Sequence, residues 1–146
     1  GVEPAEAMRA QGLEKLQKEE FAARMRGEPW LLEDERLAAE YPAGSFDAAV
    51  CTLVLCTVPD PAGTLALLHR FLKPGGKLIV LEHVRSKSGF GQTVQNLMNP
   101  FWRHLAEGCQ LNRDTHANIE AAGFRAATHD EFDYGLPFIS GVYQAC

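Results

Sequence analysis

The sequence predicts an α/β fold built on a parallel strand–helix–strand unit between Phe46 and Val84, and three observations carry the prediction. Residues 48–58 are an almost unbroken apolar run with Thr52 and Thr57 as its polar members. The run has β-branched residues and no two-residue alternation, which is the pattern of a strand covered on both faces. Asp60-Pro61 then offers a helix N-cap followed by proline at the first helical position. Leu65, Leu68, Phe71 and Leu72 fall at helical spacing and give one apolar stripe. Pro74 is expected to stop that helix, and Gly75-Gly76 to supply a turn that tolerates positive φ. Residues 78–81, Leu-Ile-Val-Leu, read as a second buried strand. The crossover between the two strands should be right-handed. Ligands of open sheets sit beyond the carboxyl ends of the strands, here residues 52–56 and Glu82-His83.

Composition narrows the function classes. At 146 residues, 46% hydrophobic and 23% charged, the chain has the make-up of one soluble globular domain. A formal charge of −5 and the lack of a basic run argue against a nucleic-acid partner. No apolar segment approaches the ~18 residues of a membrane span, and the first residues, GVEPAEAM, lack the features of a signal peptide. A cytoplasmic location is the expectation. Cys51, Cys56, Cys109 and Cys146 are too few and scattered for a disulfide framework. The first two are expected to be reduced and packed, with Cys56 the better candidate to face a site. No metal ligand set is expected.

Outside the central unit, residues 1–4 look like the last residues of a strand. Residues 5–26 are helical in composition, with Gly12 allowing either one bent helix or two short ones. Residues 30–32 read as a short strand, followed by the acidic run Glu33-Asp34-Glu35. Asp47 should cap or anchor the entry to the buried strand. Residues 85–91 form a polar, glycine-containing loop suited to a mobile lid. A helix is expected over 93–105, broken near Asn99-Pro100, with Phe101, Trp102 and Leu105 as either core or the wall of a substrate pocket. Asn112 is a plausible N-cap of the next helix and Gly123 its C′ residue. Residues 124–128 and 139–145 read as strands that pair around the turn 134–137.

The run SFDAAVCTLVLCTVPDP, the turn LKPGG and the strand LIVLEHV resemble the middle of a class I S-adenosylmethionine-dependent methyltransferase. Further on, NPFWRHLAEGCQLNRDT followed by IEAAGF is similar to the methyltransferase-like alkyl-thiol methyltransferase branch. The resemblance implies a Rossmann-like, doubly wound sheet, mostly parallel with an antiparallel last strand. It also implies S-adenosyl-L-methionine as cofactor and a small-molecule acceptor, possibly a thiol. Glu3 matches the acidic residue that accepts hydrogen bonds from the cofactor's ribose hydroxyls, and Met8 one that packs on the adenine. Asp34 or Glu35 matches the acid near the adenine amino group. Cys51, Thr52 and Leu53 would line the cofactor, largely through backbone atoms. His83 is the expected proton acceptor, with Glu82 orienting it or the substrate.

The family's first strand and the glycine-rich turn after it are not found among the 13 glycines of this sequence. Residues 1–146 are therefore expected to be a partial methyltransferase domain with its N-terminal part missing, or one repacked around the gap. The strand after Phe46 should have an unpaired inner edge, at about 1–3 kcal/mol for each buried backbone group left without a partner. Three functions remain on the table. They are methyl transfer by the complete protein, a non-catalytic interaction module using the surface around Phe90, Phe101 and Trp102, and a nicotinamide-dependent oxidoreductase. The motifs give the third no support.

Overall fold

The computed structural model describes residues 1–20 and 22–146. It comprises two compact units, Gly1–Pro42 and Ala43–Cys146. In the first, helix α1 spans Glu6–Leu16, a single 3₁₀ turn spans Ala22–Arg24, and helix α2 spans Glu35–Glu40. Gly12 sits inside α1 without interrupting it, and α1 buries no residue. Phe21, part of the stretch expected to be helical, lies outside the described residues. Val2 does behave as a strand residue, but only through one parallel bridge to Glu28. Residues 30–32 are not a strand: they bend and turn toward Asp34, whose carboxylate caps α2 by accepting the Arg36 N–H at 3.0 Å. The Arg36 guanidinium lies 5.0 Å over the Trp30 ring, so this tryptophan stacks on a cation instead of joining a ladder.

The second unit carries the sheet. Strand β1 spans Phe46–Thr52, helix α3 Pro61–Phe71, and strand β2 Leu72–His83. Helix α4 spans Gly89–Leu105, helix α5 Thr115–Ala121, strand β3 Phe124–Asp133 and strand β4 Pro137–Ala145. The order is β1-β2-β4-β3, with β1 parallel to β2 and both other pairings antiparallel. Asp60 caps α3 as expected, accepting the Gly63 N–H at 3.0 Å, with Pro61 at the helix start. The helix stops before Pro74, because Leu72 already belongs to β2; the PGG segment is a register shift within the β1–β2 ladder, with Gly75 at φ +75°. Asp47 anchors that entry through a 2.6 Å contact with the Lys73 ammonium.

Leu65, Leu78, Ile119, Ile139 and Tyr143 form the core between the sheet and the helices α3 and α5. The apolar run 48–58 departs from its expected shape in two ways. It leaves the sheet after Thr52, and only one of its faces is covered: Cys51 is buried while Val50 is 68% exposed. Apolar residues on both faces are the mark of two-sided burial; here, among the described residues of this unit, α3 and α5 cover the face that carries Cys51. Strand β1 is also the sheet edge, with β2 as its one partner among the described residues.

The C-terminal half differs from expectation at the helix boundaries. Helix α4 starts at Gly89, where the Ser88 hydroxyl accepts the Gly91 N–H at 3.0 Å, and it runs unbroken through Pro100. Asp114, not Asn112, caps α5 by accepting the Ala117 N–H at 3.2 Å, and Gly123 ends it at φ +90°.

Candidate active site

The parallel pair ends at Thr52 on β1 and at His83 on β2, and there the backbone does something unusual. Leu53 has φ +56°, although it is a γ-branched residue with no local means of stabilising a left-handed conformation. It is held there from both sides. Its own N–H donates to the Leu81 carbonyl at 2.9 Å. The next three N–H groups converge on Glu82: Val54 at 2.9 Å and Leu55 at 3.0 Å on Oε1, and Cys56 at 3.1 Å on Oε2. From the other direction, Arg113 donates to the Leu55 carbonyl at 2.6 Å and Gln110 N–H to the Cys56 carbonyl at 2.8 Å. A sheet-to-turn transition in an apolar segment thus gets its hydrogen bonds from one carboxylate 26 to 28 residues away.

Glu82 is fully buried. Burial pushes its carboxyl above the ordinary carboxylate range, and the three backbone N–H groups pull the other way. Its role is therefore to shape the turn. It does not orient His83, because consecutive strand residues project to opposite faces and its oxygens are committed to residues 54–56. The thiols nearby are not nucleophiles. Burial, with the Glu82 charge adding to it, pushes Cys51 up to about 12 and Cys56 up as well. Cys56 thus packs beneath the turn, and neither thiol offers a reactive group to the site.

His83 is buried, and burial lowers its pKa, so the ring is held neutral at physiological pH. Among the described residues neither ring nitrogen has a hydrogen-bond partner. Its ring meets Phe138 edge-on with centroids 5.4 Å apart. Phe138 is in turn a wall of a cleft of about 930 Å³ that opens at this end of the sheet. The cleft lies between the loop after β2, the first turns of α4 and the β3–β4 hairpin, with Phe90, Val94, Phe132 and Phe138 as apolar lining.

Sequence reading missed this cleft and the polar network beside it. The Tyr143 hydroxyl, itself buried, lies 2.9 Å from His116 Nδ1 and 2.8 Å from His129 Nδ1. His129 Nε2 lies 3.0 Å from Glu131, which pairs with Lys87 at 2.6 Å. His116, Glu131 and Lys87 all line the cleft. These residues come from four separate segments, so no local spacing announces them. Arg113 was quoted above within a motif, but nothing in the motif says that it holds the carbonyl of Leu55.

The four expected cofactor ligands of the first unit fare unequally. The Glu3 carboxylate accepts the Ala5 N–H at 2.9 Å, at the start of α1, and Met8 is exposed on that helix. Asp34 is engaged by Arg36 at 2.9 and 2.7 Å, which lowers its carboxyl to about 2 and leaves it a helix cap. Glu35 follows it as an exposed residue in the first turn of α2. In the second unit, Thr52 and Leu53 are exposed at the strand end while Cys51 is buried beneath them. The strand-end residues Thr52 and Leu53 are open to a ligand, while both oxygens of Asp34 are engaged by Arg36.

The parallel strands of this α/β sheet end at a strained turn after β1 and at a cleft beyond β2, and the carboxyl ends of strands are where ligands of open sheets sit. The methyltransferase domain family matches residues 1–80, more than half of the chain, and the chain belongs to that family, whose class I members use S-adenosylmethionine. Among curated relatives, thiol S-methyltransferase TMT1B of Rattus norvegicus is 44% identical over 81 residues, covering 55% of this chain and 33% of that protein. The Homo sapiens TMT1B is 42% identical over 93 residues, covering 63% of this chain and 37% of that protein. The chain thus spans about a third of the length of these relatives. Among solved structures, the [4+2]-cyclase SpnF superposes with a TM-score of 0.76 at 16% identity, covering 99% of this chain and 64% of that one. Geranyl diphosphate C-methyltransferase from Streptomyces coelicolor A3(2), solved with S-adenosyl-L-homocysteine, gives 0.72 at 12% identity, covering 100% and 64%. At such identities these likenesses establish the fold alone.

Proposed function

We propose that this chain is part of an S-adenosyl-L-methionine-dependent methyltransferase that acts on a small thiol. The observation that carries the reading is Leu53 at φ +56°, locked by Glu82 at the carboxyl end of β1, with a cleft at the same end of the sheet beyond β2. Strain of this kind persists where surrounding structure over-determines it, and it clusters at ligand sites. When bound, the cofactor would supply an electrophilic methyl group on sulfur. Thr52 and Leu53, exposed at the strand end, would hold it through their backbone. The protein's work is alignment and exclusion of water, since methyl transfer is an in-line displacement. The cleft's aromatic lining suits an apolar acceptor, and the thiol class is supported by the names of the curated relatives.

A thiol must lose its proton to attack, and we assign that proton to His83. Burial keeps the ring neutral, and both nitrogens are without partners among the described residues. The ring packs behind Phe138, a wall of the cleft, and both its nitrogens are buried, so the acceptor reaches His83 only when the Phe138 side chain swings aside. The test is product formation from S-adenosylmethionine and a panel of small thiols, alcohols and amines, read by mass spectrometry. Methylated thiol alone is the expected result; methylated alcohol or amine at comparable rates would refute the thiol assignment. Comparing pH–rate profiles of His83→Gln and His116→Gln then locates the proton acceptor. His83→Gln should lose the acidic limb and His116→Gln keep it, and the reverse would move the role to His116.

The exposure of Phe90 and Phe101 favours a binding role for α4, as the interaction-module reading requires, whereas Trp102, the third ring of that reading, is half-buried with its indole nitrogen enclosed. It is compatible with catalysis at the strand ends.

A further inference from the structure

Helix α4 is amphipathic in the reverse sense. Its polar face, Gln92, Gln95, Asn96 and Asn99, has the i, i+3, i+4, i+7 spacing of a buried stripe, and it faces the protein. Gln92 accepts from Arg85 at 2.6 Å and donates to the Ser86 carbonyl at 2.9 Å. Gln95 accepts the Ser86 N–H at 2.7 Å and donates to the Val84 carbonyl at 3.2 Å. Asn96 accepts from Asn112 at 2.8 Å. Asn99 accepts the Leu111 N–H at 2.8 Å and donates to Gln110 at 2.9 Å. Four amides therefore fix the helix through hydrogen bonds to the loops on either side of it.

The opposite face is apolar and turned outward. Phe90, Val94, Leu97, Met98, Phe101 and Leu105 follow i, i+4, i+7, i+8, i+11, i+15, and Phe90, Leu97, Phe101 and Leu105 are 82, 72, 67 and 83% exposed. At 1.5 Å per residue the stripe is about 22 Å long. Scattered apolar residues on a surface need no explanation, but a continuous stripe of this length does.

Charge decides what covers it. Between Glu82 and Glu107 the sequence has no carboxylate, while Arg85 and Lys87 flank the start of the helix, Lys87 paired with Glu131 of β3, and Arg103 lies in the last turn. The segment is thus formally +3 in a chain of −5. A second copy docked through the same face would set these cations against one another in either orientation, with no acid in the stripe to offset them. An anionic bilayer surface meets both requirements, taking the apolar stripe among its acyl chains and the flanking cations at its phosphates. We propose that α4 is a peripheral membrane-binding helix that lies in the interface of an anionic lipid surface. On the reading above that the cleft takes the acceptor, this places the cleft at the lipid boundary, since Phe90 and Val94 belong to both the stripe and the cleft lining.

The experiment is co-sedimentation of the chain with phosphatidylcholine vesicles containing none or 30% phosphatidylserine, with light scattering of the lipid-free protein. Binding to the anionic vesicles is expected, weakening as salt rises. Leu97→Ser with Phe101→Ser should weaken it at least tenfold, and Arg103→Glu several-fold. All three side chains are solvent-exposed, and circular dichroism checks that the variants keep their secondary structure. Absence of vesicle binding by the unmodified chain would overturn the proposal, as would equal binding by the double variant. A dimer that Leu97→Ser with Phe101→Ser dissociates would overturn it too, by making a second copy the occupant. None of these readouts involves methyl transfer, so failure of the catalytic reading leaves the result intact.

Discussion

Glu82→Ala should be the most damaging single truncation at the site. The side chain is fully buried and accepts three backbone N–H groups, two of them from the buried residues Leu55 and Cys56. A buried donor left without a partner costs about 1–3 kcal/mol. Three of them, with some relaxation toward water at half-exposed Val54, give about 3–6 kcal/mol, a large share of a typical 5–15 kcal/mol. Glu82→Gln keeps an oxygen for Val54 and Leu55 but turns an amide NH₂ toward the Cys56 N–H, for about 1–3 kcal/mol. The assay is urea denaturation with m held constant. At ~1.5 kcal/mol/M, a 3 kcal/mol loss moves the midpoint by about 2 M. Amide exchange of residues 54–56 should accelerate in both variants, more in the alanine. The pH dependence adds a sign. Burial raises the folded carboxyl above its ordinary 4.5, so the native state keeps this proton to higher pH than the unfolded chain does. The contribution of Glu82 is then full below that value and shrinks as pH rises through the folded pKa. The Glu82→Gln deficit should shrink in the same direction. Equal stability of wild type and Glu82→Ala, or unchanged exchange at 54–56, would refute the clamp.

Three further outcomes are expected. The His83 ring, held below its ordinary 6.5 by burial, stays neutral in the folded protein while the unfolded chain takes up a proton, so its contribution to stability falls as pH drops below that value. Urea midpoints at successive pH values should show this slope, at most about 1.4 kcal/mol per pH unit, and lose it in His83→Gln. Gly141→Ala should destabilise by about 1–3 kcal/mol in thermal melts, because a Cβ there would stand 2.6 Å from the Thr128 carbonyl across the β3–β4 ladder. Leu53→Gly should keep or slightly raise the melting temperature by relieving the left-handed strain, while weakening S-adenosylhomocysteine binding in titration calorimetry by loosening the backbone there; unchanged affinity would count against a cofactor role for the held backbone at this position.

What the sequence made legible follows the range of the forces involved. The Asp60-Pro61 start of α3, Gly123 at the end of α5 and the paired strands around residues 134–137 are set by neighbours in sequence, and all appear where composition and spacing put them. The errors lie where a distant side chain overrides a local preference. Residues 53–58 have the composition of a strand, yet a carboxylate from β2 offers three better acceptor positions than continued pairing at a sheet edge. Residues 89–91 read as loop from Gly-Phe-Gly, but Ser88 caps them into α4. The amides of α4 gave no sign of which way the helix faces, because hydrophobic periodicity fixes the stripe and not its direction.

Glu82 and His83 are neighbours divided by the pleat. Because consecutive strand residues project to opposite faces, one sequence dipeptide serves two unrelated tasks at the end of β2. Glu82 turns inward and shapes the strained end of β1 by hydrogen bonding. His83 turns to the other face, where burial against Phe138 keeps an unprotonated imidazole next to the cleft. Neither task needs the other's side chain. Substitution at 82 should therefore change stability and ligand affinity together, while substitution at 83 should change the pH dependence and leave the turn at 53–56 intact. If Glu82→Gln shifted the pH–rate profile with no loss of stability, the two residues would form a catalytic pair after all, and the division of labour across the strand would be wrong.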